Sequence, residues 1–240
     1  MTDRIAPPVF DLEGFGHLLF QGTLMTIQLA LVSLVFGLAF GLIGATMKLS
    51  RYRVLRILAG IYTALIRGIP ELMVILFVYY GGVILLNNFA GWLGYDSYID
   101  VSAFAAGVTA LSLTFGAYAT EIFRGAIHAV PTNQIEAARA IGMSPATIFR
   151  RILLPQVWRF ALPGLGNTFL IILKETALVS VIGLEELMRK TDMAVGYTKE
   201  PFTFFLFAAL IYLAMTAFVM MVQQGLERRA NRGVAGRALS

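Results

Sequence analysis

Four ionisable side chains, Arg67, Glu71, Lys174 and Glu175, interrupt stretches of sequence that are otherwise apolar. An ionisable group near the centre of a bilayer costs at least about 2.5 kcal/mol, and it persists where it faces a bundle interior, an aqueous cavity or a partner. Neighbours at i and i+1 do not face each other on a helix, so Lys174 and Glu175 need different partners. The chemistry that this pattern indicates is the lining of a path for a charged or polar solute.

The elements that position these groups follow from the composition. Of the 240 residues 58% are hydrophobic and 14% are charged, and the mean hydropathy is +0.76. This composition is typical of an integral membrane protein. Because a bilayer core of about 30 Å needs about 20 apolar helical residues, we predict an all-α protein with five transmembrane helices in one transmembrane domain, residues 1–240. The predicted spans are about 19–47, 57–87, 101–123, 160–184 and 202–224.

The second predicted span contains Gly68 and Pro70 between Arg67 and Glu71. Proline lacks a backbone N–H and clashes with the preceding helical turn, so this span is predicted to be kinked or broken there. Broken spans with charges at mid-depth are what membrane transporters use to line a substrate site or a gate. For Arg67 a second interpretation stays open, in which it lies nearer the surface, extends outward and anchors the helix.

The distribution of Lys and Arg predicts the orientation, because cytoplasmic loops carry the excess of these residues. Most of them follow the first, third and fifth spans. We therefore predict that the N-terminus lies outside and the C-terminus inside. This asymmetry also explains the net charge of +5, and no nucleic-acid partner is expected.

Two further features are predicted to be structural. Gly37 and Gly41 form a G-x-x-x-G step that lets another helix approach the first span. Glu121 and Arg124 have the spacing of a local ion pair on one helix face.

The sequence lacks three motifs that are typical of hydrolytic enzymes. There is no G-x-x-x-x-G-K-[ST] phosphate-binding loop, so ATP hydrolysis is not expected in this chain. His17 and His128 are far apart and do not form an H-E-x-x-H pattern, and no serine has a G-x-S-x-G setting. We expect a non-catalytic membrane subunit without a metal site.

The segment "EAARAIGMSPATIFRRILLPQ", Glu136 to Gln156, has a different character from the apolar stretches on either side. Asn133 is predicted to cap a first short helix, and Gly142 to end it in the left-handed conformation. Ser144 followed by a proline predicts the start of a second short helix, and Pro155 its end. The orientation places both helices, about 132–155, in the cytoplasm.

The second of these helices carries an apolar stripe of Ile148, Phe149, Ile152 and Leu153. Two capped helices with an exposed apolar stripe, in a chain without an energy source of its own, indicate a docking element for a partner. On the pattern alone, a helix lying on lipid headgroups fits equally well.

The segment also matches a sequence motif at every fixed position. Its residues Glu136, Ala137, Ala138, Gly142, Ile152, Leu154 and Pro155 fit the pattern EAA-x3-G-x9-I-x-LP. In this it resembles the permease subunits of ATP-binding-cassette (ABC) importers. The resemblance extends to "LIRGIPELMVILFVYYG" (65–81), "EIFRGAIHAVP" (121–131) and "LKETALVSVIGLEEL" (173–187). It is closest to the polar amino-acid uptake family, in particular the Q-type subunits of histidine/lysine/arginine/ornithine and opine systems.

The resemblance implies a type I importer fold in the bacterial inner membrane and uptake of a polar, basic amino acid or opine. It implies four kinds of neighbour: the lipid bilayer, a cytoplasmic ABC ATPase dimer that binds ATP and Mg, a second permease that is homologous or a copy of this chain, and an extracytoplasmic substrate-binding protein. It also implies that the motif residues couple to the ATPase. One departure is "PTNQI" (131–135), where relatives often have a "PKGQI" type of run. The absence of a cation and a glycine there predicts a weaker contact of the first helix with an acidic ATPase surface or with phospholipid.

Acidic residues on the predicted outer loops are candidates for docking the external protein, although simple solvation explains them equally well. They are Asp96, Asp100, Glu185, Glu186 and Asp192.

Two other classes of protein stay open on the residues alone. An ion-gradient-driven secondary amino-acid transporter could use the same four charges, but no inverted repeat is evident and five spans do not divide into equal halves. A membrane-embedded structural subunit without a pathway would carry these charges at a needless cost.

Overall fold

The computed structural model describes residues 14–95 and 99–231, and this part of the chain is helical and contains no strand. The helices are, in chain order, α1 Gly16–Lys48, α2 Arg53–Gly68, α3 Glu71–Trp92, α4 Ala103–His128, α5 Thr132–Ala140, α6 Pro145–Ile182, α7 Leu187–Thr198 and α8 Pro201–Ala230. Five of them, α1, α3, α4, α6 and α8, are long and apolar enough to cross a membrane. A helix satisfies its own backbone hydrogen bonds, which hydrocarbon cannot do. The predicted all-α fold with five apolar helices is confirmed.

The chain divides into two compact units, and each draws on three stretches of sequence. The first unit comprises the described part of Met1–Ser33 together with Pro70–Leu111 and Ile172–Thr216. The second comprises Leu34–Ile69, Ser112–Ile171 and the described part of Ala217–Ser240. The long helices α1, α4, α6 and α8 therefore contribute residues to both units.

In the second unit, α1 packs closely against α4 through glycines. A Cβ atom added at Gly41 would lie 2.5 Å from the Cβ of Ala119, and one added at Gly37 would lie 2.8 Å from the ring of Phe115. Phe115 and Ala119 are fully buried. The predicted packing role of the G-x-x-x-G step is confirmed, because only a residue without a side chain permits this approach.

In the first unit, three helices share a buried apolar cluster. Its members are Leu19 of α1, Leu187 and Ala194 of α7, and Phe204 and Ala208 of α8. The ring of Phe15 packs edge-on against Phe204, with 5.7 Å between the centroids. The cluster holds the short helix α7 against two of the long helices.

The predicted break at Pro70 is confirmed. Helix α2 ends at Gly68, and Ile69 and Pro70 have extended backbone with ψ of 139° and 138°. A proline disfavours the helical conformation of the residue before it and cannot donate a hydrogen bond to the preceding turn. The chain therefore restarts as α3 at Glu71, and the interval predicted as one span forms two helices.

The prediction that Pro155 ends a second short helix is wrong, because α6 runs without interruption from Pro145 to Ile182. The residues Phe149–Leu153 before this proline form a π-helical turn, in which the N–H of Leu154 donates to the carbonyl of Phe149. An α-helical turn would bring the proline ring against the carbonyl of the residue four positions earlier. The wider turn accommodates the proline inside a continuous helix.

The close packing of α1 on α4 predicts that Gly41→Ala destabilises the protein. The added methyl group overpacks the contact with Ala119, at a cost of about 1–3 kcal/mol. The matched control is Gly125→Ala on α4, because nothing lies within 4 Å of a Cβ at Gly125. Thermal unfolding of the detergent-solubilised protein should show a lower Tm for Gly41→Ala only, and equal Tm values for the two variants would contradict the packing role.

Candidate functional site

The first candidate site is a helical hairpin formed by α5 and the start of α6. Helix α5 begins at Thr132 with Pro131 as its N-cap and no side-chain capping bond. The prediction that Asn133 caps this helix is therefore wrong, because the proline at 131 already sets the extended backbone that precedes the first turn. Gly142 has φ of +79°, as predicted, and the N–H of Met143 donates to the carbonyl of Ala138 at 3.1 Å.

The second arm of the hairpin begins as the sequence predicts. The side-chain oxygen of Ser144 accepts a hydrogen bond from the N–H of Thr147 at 3.3 Å, and Pro145 occupies the first helical position. Between the arms, the amide of Gln156 donates to the side-chain oxygen of Gln134 at 2.8 Å. The bond between the two glutamines links one arm to the other.

The motif residues of the first arm divide between the interior and the surface of the hairpin. Ala138 is buried, whereas Glu136, Ala137 and Gly142 are exposed. Ile141, next to the turn, is 78% exposed. The turn thus exposes a small surface that is partly apolar. Such a surface is suited to contact with another protein.

The motif residues of the second arm lie in and after the π-helical turn. Ile152 is partly buried, and Leu154 and Pro155 are exposed. Leu154 also lines an apolar cavity of about 280 Å³, together with Leu38 of α1 and Phe123 of α4. The structure thus brings all seven motif residues into one hairpin at the start of α6.

The second candidate site is a pair of carboxylates in the first unit. Glu71 opens α3, whose first turns pack against the final, 3-10 helical part of α6 that follows Glu175. Both side chains are partly buried, and Glu71 lies close enough to Glu175 for electrostatic repulsion. Among the described residues, no hydrogen-bond partner reaches the buried Oε2 of Glu175. The structure therefore places the two carboxylates within electrostatic range of each other, and Glu175 keeps an unused acceptor oxygen.

Lys174 is exposed, and although its charge acts on Glu175, its side chain has a separate setting. It lines a cavity of about 340 Å³ with apolar residues of α8 and with Tyr212. Lys174 and Glu175 therefore lie in different surroundings.

Arg67 occupies the last turn of α2 and is exposed. Its guanidinium group lies over the ring of Tyr118, 5.1 Å from the centroid, which is a cation–π contact. This contact holds the Arg67 side chain against the ring of Tyr118.

A charged cluster of the second unit was only half predicted from the sequence. The expected pair is present, with Nε of Arg124 donating to Glu121 at 2.9 Å. Lys48, at the end of α1, also donates to Glu121, and it donates to the hydroxyl of Thr63 at 2.7 Å. The Lys48 contact joins residues 73 positions apart, and no local pattern signals it.

The expectation that Glu186 lies on an outer loop surface is wrong. It is fully buried at the N-terminus of α7, where it accepts hydrogen bonds from the N–H of Arg189 at 2.9 Å and from the hydroxyls of Thr26 and Tyr212. Burial raises the pKa of this carboxyl, and the hydrogen bonds act in the opposite direction. Glu185 beside it is exposed and pairs with Lys190, which lowers the pKa of Glu185. Asp96 lies outside the described residues.

The described residues include no group of three or more His, Cys, Asp or Glu side chains that could hold a metal ion. The features found are five apolar helices, a hairpin with a sequence motif, and charges in broken or irregular helical segments. Together they define an integral membrane subunit of a solute transporter.

The sequence comparisons specify this class further. Residues 33–232 match the family described as the binding-protein-dependent transport system inner membrane component. The nopaline transport system permease protein of Agrobacterium fabrum is 47% identical over 222 residues, which cover 92% of this chain and 94% of that protein. The histidine/lysine/arginine/ornithine transport system permease protein of Salmonella typhimurium is 46% identical over 223 residues, with 93% and 97% covered.

Solved structures are similar as well. A chain in the crystal structure of an amino acid ABC transporter with histidines is 36% identical, with a TM-score of 0.75 and coverage of 89% of this chain and 94% of that one. A chain of the inward-facing MetNI methionine ABC transporter has a TM-score of 0.73 at 20% identity, covering 92% and 99%, and shows the shared fold.

The protein therefore belongs to the family of inner membrane components of binding-protein-dependent transport systems. It is a multi-pass permease subunit of the bacterial inner membrane, with the type I ABC importer fold. Family membership favours an ATP-driven importer over the ion-gradient-driven secondary transporter.

Proposed function

We propose that this permease subunit carries a basic amino acid or an opine into the cell. Similar permeases at 41–47% identity are named for nopaline, octopine and histidine/lysine/arginine/ornithine transport. Lysine, arginine and ornithine carry a cationic side chain at neutral pH. A cationic substrate needs a negative site in a medium of low dielectric constant, where unpaired charges are costly.

The pair of Glu71 and Glu175 is the observation that carries this proposal. Two carboxylates that repel each other are stabilised by a cation between them, and the free oxygen of Glu175 can accept a hydrogen bond from it. A guanidinium or ammonium group supplies both the charge and several donors. In this proposal Lys174 and Arg67 line the pathway without contacting the cationic group. Lys174 faces the cavity that it shares with α8, and Arg67 stacks on Tyr118.

The hairpin at 131–155 is proposed to dock on an ATPase subunit. Two observations support this. The hairpin carries the sequence motif, and its turn exposes Glu136, Ala137, Ile141 and Gly142 to solvent. ATP and Mg bind to the partner ATPase dimer in this scheme. The sequence "PTNQI" (131–135) offers that partner no cation at the start of α5, so the contact rests on shape and apolar burial.

The remaining partners and the orientation complete the proposal. The N-terminus lies outside and the C-terminus inside, which puts the cation-rich hairpin in the cytoplasm. A second permease, homologous or identical, completes the pathway, and an extracytoplasmic binding protein delivers the substrate. ATP-driven closure of the ATPase dimer moves the hairpin, and because the second arm of the hairpin is the start of α6, this movement acts on the helix that carries Glu175.

Neutralising either carboxylate should weaken recognition of a cationic substrate. For Glu71→Gln and Glu175→Gln we expect the KM for arginine uptake to rise about tenfold or more, since a hydrogen bond to a charged group contributes about 1.5–3 kcal/mol. The matched control is Glu227→Gln, the same charge-neutralising change at a partly buried position of α8, where the side chain accepts a hydrogen bond from Gln223. Uptake is measured in proteoliposomes containing the full transporter, and an unchanged KM in both Glu variants would refute the assignment.

Gly142→Val should uncouple uptake from ATP hydrolysis. The left-handed conformation costs a β-branched side chain about 1 kcal/mol or more and misplaces the second arm of the hairpin. The control is Gly94→Val, which introduces the same strain at another left-handed glycine with no neighbour within 4 Å. We expect membrane insertion of both variants and loss of uptake for Gly142→Val only. Normal uptake by that variant would exclude the coupling role.

The proposed assembly predicts what accompanies the chain out of the membrane. The tagged chain, solubilised in mild detergent from its native membrane, should bring an ABC ATPase and a permease, identified by mass. Uptake by the reconstituted complex should require ATP and the binding protein and be inhibited by vanadate. Recovery of the chain alone, with uptake that needs no ATP, would overturn the proposal.

A further inference from the structure

An apolar groove lies between the end of α1 and the first half of α2, within the second unit. It has a volume of about 220 Å³ and is lined by Phe40, Ile43, Gly44, Met47, Leu58, Ala59, Tyr62 and Leu113. The only polar side-chain atom among these, the hydroxyl of Tyr62, already donates to the carbonyl of Leu113 at 2.7 Å. Ile43 and Leu58 are each more than half exposed on the two walls. The groove therefore offers apolar surface and no hydrogen-bonding group of its own.

The loop between α1 and α2 and the first turn of α2, beside this groove, are strongly basic. Arg51, Arg53 and Arg56 are all exposed, and between Gly14 and Pro70 the sequence contains no Asp or Glu. In the described part of the chain none of the three forms an ion pair, whereas the nearby Lys48 is neutralised by Glu121. Three positive charges thus stand uncompensated beside an apolar groove.

The loop is held in a defined shape by its own hydrogen bonds. Arg56 donates to the carbonyls of Ser50 and Arg51 at 3.0 and 3.2 Å, which satisfies two backbone acceptors of the loop between α1 and α2. The guanidinium of Arg51 lies 4.8 Å from the ring centroid of Tyr52 and donates to its hydroxyl. A guanidinium group has five N–H donors, so Arg51 keeps donors for an anion, and Arg53 is unengaged by any ion pair.

We propose that the groove and the loop form a binding site for an anionic phospholipid. One acyl chain lies in the groove between α1 and α2, and the headgroup phosphate is bound by Arg51 and Arg53. Charge complementarity selects this occupant: a zwitterionic lipid fills the groove equally well but does not compensate the three cations. The lipid would brace α1 against α2 beside the ion pair of Lys48 and Glu121.

Fluorescence quenching by brominated lipid tests the site directly. The sequence has two tryptophans, Trp92 and Trp158. In the background Trp92→Phe/Trp158→Phe, the substitution Leu58→Trp places a single indole on the wall of the groove. The full chain, purified with its partner subunits, is incorporated into nanodiscs that contain a small fraction of brominated phosphatidylglycerol or brominated phosphatidylcholine. Ile43→Trp in the same background replaces Leu58→Trp if the latter fails to fold.

We expect brominated phosphatidylglycerol to quench at a lower mole fraction than brominated phosphatidylcholine. Each Lys or Arg near an anionic headgroup contributes on the order of fivefold in binding. Arg51→Gln/Arg53→Gln should therefore remove on the order of 25-fold of this preference. The matched control is Arg228→Gln/Arg229→Gln, two exposed arginines in the last turn of α8, which should leave it unchanged.

Three results would overturn the proposal. Equal quenching by the two lipids would mean that the groove meets only bulk lipid. A preference unaffected by Arg51→Gln/Arg53→Gln would place the anion elsewhere. Absence of quenching by either lipid would show that a partner subunit covers the groove.

Discussion

The structure depends on one constraint: hydrocarbon offers no hydrogen bonds to a backbone and no solvation to a charge. It explains why the described chain is helical. It also explains the cluster of Lys48, Glu121 and Arg124, in which each charge has an opposite charge as a partner. A membrane protein that meets this constraint everywhere would be an inert bundle.

The exception to that constraint lies at the proposed substrate site. Glu71 and Glu175 repel each other, and Glu175 keeps an oxygen without a hydrogen-bond partner among the described residues. Glu186 also carries a buried carboxylate, but hydroxyl and backbone N–H groups surround it. The comparison separates two kinds of buried acid. One is stabilised in place at the start of α7, and the other keeps an unused acceptor, to which the proposed function assigns a cation.

Local chemistry was readable from the sequence, and long-range chemistry was not. Glycine at 142, serine at 144 and proline at 70 act on the turns that contain them, and the structure has each as predicted. The burial of Glu186 depends on Thr26 and Tyr212, which come from distant parts of the chain. The family motif marks the hairpin from the sequence, but no local signal shows that α6 continues through Pro155. The helix continues because the turn before Pro155 is π-helical and contains one more residue than an α-helical turn.

The π-helical turn at Phe149–Leu153 sets the angular phase of α6. One residue corresponds to about 100° of rotation about a helix axis. Deleting one residue from this turn would leave the Ser144 cap unchanged and rotate every later side chain of α6 by about that angle. Glu175 would then face away from Glu71 while the hairpin turn kept its shape. The length of this turn is therefore a constraint on the protein separate from its amino-acid identities, and a single-codon deletion there would be far more damaging than a conservative substitution.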